Sequence, residues 1–193
     1  MNSALAQAPA SIPSFMLKKF EGDETVSLDQ FSDGVVVLDF FAYWCVPCRK
    51  VSTELEEHVQ RFYAGKNGNP AGKPVQVLSL NIEQGRTART RQYIRQTGAS
   101  LVLDDVGGRV YKALGGRGIP YVIVLAKESN QWNVLYAHAG YEGVEKIRTV
   151  IDSVGAATGR STADEPAVSL PTTHAVEIGS DGLWSNDILL ADT

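Results

Sequence analysis

The densest apolar run in the chain is VVVLDFF, Val35–Phe41, in which only Asp39 is polar. Its length and its β-branched and aromatic content predict a central strand buried on both faces. Before it, FMLKKF and ETVSL read as two short strands around the turn-like EGD, a hairpin over residues 15 to 28, and SLDQF reads as a single helical turn. After it, Val51, Leu55, Val59 and Phe62 recur at helical spacing, which predicts a helix from the cysteines at 45 and 48 to near Gly65. Glu54, Glu56, Glu57, Gln60 and Arg61 fall on its remaining surface, with His58 partly buried at the apolar edge. AGKNGNPAGKP is a loop by composition, and VQVLSLNI is a second core strand. The polar EQGRTARTRQYIRQTG predicts a helix that stops at Gly98. Its Arg86, Arg89, Arg91 and Arg95 read as a solvated face, with partner docking as the alternative. LVLDD gives a short strand and turn, and VGGRVYKALGG a short helix. YVIVLA and WNVLYAHAG form a hairpin, and Val144, Ile147, Ile151 and Val154 mark a last amphipathic helix.

The order is ββ, then βαβα, then ββα. This predicts an α/β fold with a central mixed β-sheet flanked by helices, an N-terminal β-hairpin and a ββα C-terminal half. From Gly155 the composition turns small, polar and proline-containing, so residues 155–193 read as a tail without an assigned role, although AVEIGSDGLWSNDILLADT carries enough apolar residues to fold back.

Charge changes this picture little. A formal net charge of −4 over 193 residues gives no basic face for nucleic acid. No apolar run approaches the roughly 20 residues that span a bilayer. Residues 1–12 read as a leader; ALAQA resembles the tail of a cleavage site, which makes the leader the remnant of an export signal or a plain Ala/Pro-rich extension.

The chemistry lies in the two cysteines, Cys45 and Cys48. The loop between them is too short for a stabilising cross-link. A structural zinc would want four ligands, and His58, His138 and His174 form no ligand pair with them, so no metal is expected. Redox chemistry remains. A Cys-x-x-Cys at a strand-to-helix junction sets its first cysteine at the helix N-terminus, where orphan N–H groups and the positive dipole end favour a thiolate. Cys45 is then the nucleophile and Cys48 the resolving thiol. Pro47 stiffens the first turn without removing a needed donor. Trp44 shields the sulfurs or is a core aromatic. Asp39 would be costly to bury and its pKa should rise; it reads as the group that takes and returns the proton of Cys48, with a solvated strand edge as the other placement.

DFFAYWCVPCRK resembles the thioredoxin active-site segment, and GIPYVIV at 118–124 resembles that family's loop before a strand. The resemblance implies a thioredoxin fold, a cis Pro120 beside Cys45, and an Ile119 backbone that pairs with an extended substrate peptide; an ordinary trans turn proline is the alternative. The opening PSFMLKKFEGDETVSLDQF and the added segment around residues 83 to 115 resemble the TlpA/ResA-type subgroup of bacterial thiol-disulfide oxidoreductases, over residues 13–154. That implies a periplasmic or otherwise exported protein, with the cytoplasm as alternative. It also implies disulfide-bearing protein substrates, no cofactor beyond a redox-active Cys45–Cys48 disulfide, and a dithiol donor such as a membrane thiol-disulfide transporter. Val51, Thr53 and Ser79 depart from the pattern, standing where cytochrome-maturation members often have glutamate, where a helix-kinking proline is usual, and where cytosolic thioredoxins have the lysine paired with the aspartate. Val46 and Pro47 bring no cation to the thiolate, which favours a reductase over a strong oxidant. The competing functions are a thiol peroxidase of related fold and a thioredoxin-fold interaction module.

Overall fold

The computed structural model describes residues 8–156. The reading of residues 1–7 as leader, and of the tail beyond residue 156, lies outside the described residues. The elements run β1 (Ser11–Ile12), β2 (Met16–Lys19), β3 (Thr25–Ser27), a 3-10 turn (Leu28–Phe31) and β4 (Val35–Phe41). They continue with α1 (Val46–Leu55), a π-helical stretch (Glu56–Gln60), α2 (Arg61–Ala64), β5 (Val75–Asn81), α3 (Thr87–Thr97) and β6 (Val102–Asp104). A 3-10 turn (Val106–Gly108), α4 (Arg109–Ala113), β7 (Tyr121–Glu128), β8 (Gln131–Ala139) and α5 (Val144–Ser153) follow within the described residues. None of the described helices is long and apolar enough to cross a membrane.

The eight strands among the described residues form one mixed sheet, ordered β1-β8-β7-β4-β5-β6-β2-β3. β4 lies at its centre, parallel to β5 and antiparallel to β7. Side chains alternate across a strand, so β4 sends Val36, Leu38 and Phe40 into one core and Val35 and Val37 into the other. The second core is closed by Val51, Leu55 and Val59 of the first helix and by Ile147 and Ile151 of α5. Asp39 and Phe41 share that helix-covered face by the same alternation. The face that carries the cysteine helix thus also carries the buried carboxylate.

The first core sits inside a curl of the sheet. Six strand spacings separate β1 from β2 in the ladder, which would be about 29 Å in a flat sheet at roughly 4.8 Å each. Only residues 13–15 join them, and the four Cα steps from Ile12 to Met16 reach about 15 Å at most. The sheet must therefore wrap, bringing Ile12, Leu17, Val26, Leu28 and Trp132 into one apolar cluster.

Two expectations change. The leader reading ends too late: Ser11 and Ile12 pair with Asn133 and Trp132 of β8, and a two-residue strand is too short to show a period. Along the helix after the cysteines, Glu56 is buried and His58 exposed, the reverse of the helical-period reading. The wide π turn resets the phase of the helix there. Glu56 accepts hydrogen bonds from the backbone N–H (3.1 Å) and hydroxyl (3.0 Å) of Ser100 and lies 3.5 Å from Arg61 Nε.

Candidate active site

β4 ends at Phe41, and a four-residue turn leads to Cys45, whose N–H donates to the Ala42 carbonyl at 2.9 Å. Cys45 is the N-cap of α1, with extended backbone (φ −75°, ψ 102°), and its Sγ accepts the Cys48 N–H at 3.2 Å. A sulfur in that position takes the place of the capping oxygen of Ser or Asp and answers one of the orphan donors of the first turn. Pro47 lies in that turn, where its missing N–H costs nothing. The turn carries no acidic residue, so the positive end of the helix is left to act on Cys45. The cysteines are bonded to each other, Cα–Cα 5.3 Å, and both are buried, beneath an exposed Val46 and Pro47.

Asp39 is fully buried. Its Oδ2 accepts the Ser52 hydroxyl at 2.5 Å, while Oδ1 has no hydrogen-bond partner. Ser79 is its register partner on β5 and Val122 on β7. Burial lifts the Asp39 pKa from 3.8 to about 7; Ser52, and Ser79 standing nearby without completing a hydrogen bond to Oδ1, hold it from rising further. Ser52 Oγ also lies 2.7 Å from Tyr93 Oη. Since Ser52 has one proton and gives it to Asp39, Tyr93 is the donor in that contact. Burial, then the charge of Asp39, push the Tyr93 phenol upward, so it stays protonated. Tyr93 stacks on Phe41 with ring centroids 4.4 Å apart, and both pack in one cluster with Cys45 and Cys48.

Neither Ser52 nor Tyr93 figures among the residues singled out from the sequence. Ser52 did leave a signal, as a small polar residue one turn beyond Cys48 and between two core positions, Val51 and Leu55. Tyr93 left none, being 41 residues from Ser52 on another helix.

The remaining candidates divide. Ile119 packs against the cysteine cluster, and the Ile119–Pro120 peptide bond is cis, with the Pro120 carbonyl accepting the Gly140 N–H at 2.8 Å. Trp44 is 55 % exposed, so it is no core residue; its Nε1–H donates to Glu83 Oε2 at 3.1 Å.

Comparison with known proteins agrees with this geometry. A thioredoxin of Pseudomonas aeruginosa is 30 % identical over 74 residues, which are 38 % of this chain and 60 % of that protein. The chain spans about three fifths of the length of the curated relatives it matches. A crystal structure described as a thiol:disulfide interchange protein DsbE, from Chlorobium tepidum, aligns over 77 % of this chain and 96 % of that one, with 26 % identity and a TM-score of 0.60. StoA from Bacillus subtilis aligns over 74 % and 98 %, with 23 % identity and a TM-score of 0.53, and shows the same fold. The α/β sheet with its flanking helices is thus a thioredoxin fold. The AhpC/TSA family matches residues 9–129, from the residues before β1 to the end of β7 with the cysteine pair inside, and the chain belongs to that family.

Proposed function

We propose that this chain is a thiol-disulfide oxidoreductase that reduces protein disulfides through Cys45 and Cys48. The observation that carries this reading is the pair itself: two cysteines bonded across the first turn of α1, with the Cys48 N–H directed at Cys45 Sγ. In the reduced protein the Cys45 thiolate attacks one sulfur of a substrate disulfide, giving a mixed disulfide and releasing the other substrate sulfur as thiolate. Cys48 then gives its proton to Asp39 and attacks Cys45 Sγ. The substrate leaves with two electrons, and the Cys45–Cys48 disulfide is left behind for a dithiol donor to reduce. In this reading Pro47, Ile119 and Pro120 meet the substrate beside the sulfurs, with the exposed Trp44 at the edge. The likeness to the structure described as a thiol:disulfide interchange protein supports disulfide-bearing proteins as substrates. An exported, periplasmic setting with a membrane thiol-disulfide transporter as donor is the finer part of the proposal.

Trapping tests it. Cys48→Ala is expected to accumulate mixed disulfides on Cys45 in cells, lost on adding dithiothreitol and absent from Cys45→Ser. Peroxide turnover by Cys48→Ser without a mixed disulfide would instead assign a thiol peroxidase. A cellular role that survives Cys45→Ser would assign an interaction module.

A further inference from the structure

The arginines of α3 are not used by this chemistry, and their placement is unfavourable for the helix. α3 begins at Arg86 with no side-chain cap, has no acidic residue in its first turn, and carries Arg89 at its third position. Carboxylates would suit that end of a helix and guanidinium groups oppose its dipole, so local stability does not explain them. Arg91 is satisfied by an ion pair with Glu21, across to the N-terminal hairpin. Arg89 is not. It lines a cavity of about 210 Å³ between α1 and α3, together with Arg49, Trp44, Gln92, Gln96 and Tyr93. No lining residue is acidic, and among the described residues neither Arg49 nor Arg89 makes an ion pair. Arg49 Nη2 is steadied by the Tyr43 carbonyl at 3.4 Å. Two carboxylates stand at its margins without lining it: Glu83, which accepts from the Trp44 indole, and Glu54, which lines a neighbouring hollow with Arg49 and Gln96. In a chain of net charge −4, two guanidinium groups without an ion pair among the described residues, with two amide side chains around the same hollow, are the donor set that a carboxylate would meet.

Its position ties it to the redox pair. Trp44 immediately precedes Cys45, and Arg49 immediately follows Cys48. An extended peptide advances about 3.3 Å per residue, so a side chain one to three residues from the attacked sulfur lies within about 10 Å of it along the peptide.

We propose that the cavity between α1 and α3 binds the carboxylate of a Glu or Asp flanking the substrate cystine, with Arg49 and Arg89 as specificity determinants. The proposal rests on reading Cys45–Cys48 as a reductant of protein disulfides, and its test separates the two. First, the oxidised full-length protein is titrated with cysteine-free peptides that alternate Gly with Glu, Gln or Lys, following the Trp44 indole N–H by NMR. The Glu peptide is expected to shift that signal and the other two to leave it in place. Arg89→Gln should weaken Glu-peptide binding roughly three- to five-fold and Arg89→Lys should recover part of it, as for one exposed charge pair. An equal response to the Gln peptide, or an Arg89→Gln variant that binds as wild type does, overturns the proposal. Second, reduction of cystine peptides with Glu, Gln or Lys flanks is timed with the reduced protein. A kcat/KM preference for Glu that disappears in Arg89→Gln supports the assignment, and equal rates across the flanks overturn it as a substrate determinant. If the Glu peptide binds in an Arg89-dependent way while no cystine peptide is reduced, the anion site stands and the reductase reading falls.

Discussion

Asp39 keeps a carboxylate in an apolar interior with one hydrogen bond, from Ser52, and one oxygen left bare. Because its folded pKa of about 7 lies above the ordinary 3.8, the folded state holds a proton that the unfolded state has already lost. Stability is therefore greatest below about pH 4 with respect to this group and declines as pH rises toward 7 and beyond. Three pKa units correspond to about 4 kcal/mol. In the oxidised protein, where the cysteines do not titrate and Tyr93 stays neutral, Asp39→Asn should remove this slope. Denaturant unfolding should show the gap between variant and wild type moving in the variant's favour by up to about 4 kcal/mol from pH 4 to pH 8. In the reduced protein the same substitution should slow resolution of the mixed disulfide. Ser52→Ala removes the larger of the two influences that restrain the Asp39 pKa, so the pH midpoint of that resolving step should move upward. A midpoint that stays put would leave Ser52 a packing residue only. Asp39 was legible in the sequence because a lone acid in VVVLDFF has few places to go. Tyr93, the partner of Ser52, was not, because a hydrogen bond between α1 and α3 leaves no local period.

At the scale of elements, the sequence marks regular pieces well and irregular joints poorly. β4, the first helix and α5 declare themselves through alternation or a 3.6-residue repeat, and Gly98 stops α3 in the left-handed conformation (φ 74°) that glycine adopts freely. The π turn at Glu56–Gln60 has no such mark, since Val51, Leu55 and Val59 fit an unbroken helix equally well. The loop between α2 and β5 likewise reads as featureless, yet it holds a latch. Asn69 is buried and donates through Nδ2 to the carbonyls of Ile151 and Val154, each at 2.8 Å. Its Oδ1 accepts the N–H groups of Ala71 (3.1 Å) and Lys73 (2.9 Å). One amide thus shapes the loop and ties it to the end of α5. Asn69→Ala strands several buried backbone groups at once and should cost about 2–4 kcal/mol in chemical unfolding. The latch involves none of the residues around the cysteines, so Cys45 in the folded variant should form mixed disulfides as in the parent.

For the whole molecule, the wrapped sheet needs a fastening where its two ends approach, and Asp29 supplies one. It sits in the turn after β3, and its Oδ1 accepts Lys127 Nζ of β7 at 2.7 Å and Trp132 Nε1 of β8 at 3.0 Å. Those contacts link the hairpin side of the ladder to the β7–β8 side, and Trp132 carries them into the enclosed core beside Ile12 and Leu28. The hydrogen bond from Lys127 is the main reason that the Asp29 pKa falls to about 2. Its sign is opposite to that of Asp39: the contribution is present above about pH 4 and disappears as pH falls toward 2. Asp29→Asn should accordingly melt below the parent at neutral pH, and the difference should have largely closed by about pH 2, where the folded parent's Asp29 is half protonated. Asp39→Asn should show its largest difference at the alkaline end instead. Melting curves of the two variants and their double variant across pH 2 to 8 separate the fastening from the buried carboxylate. The two sites share no partner, so their effects should add. A double variant that departs from additivity would mean that the closure of the curl and the setting of the carboxylate beneath the cysteine helix are one cooperative event.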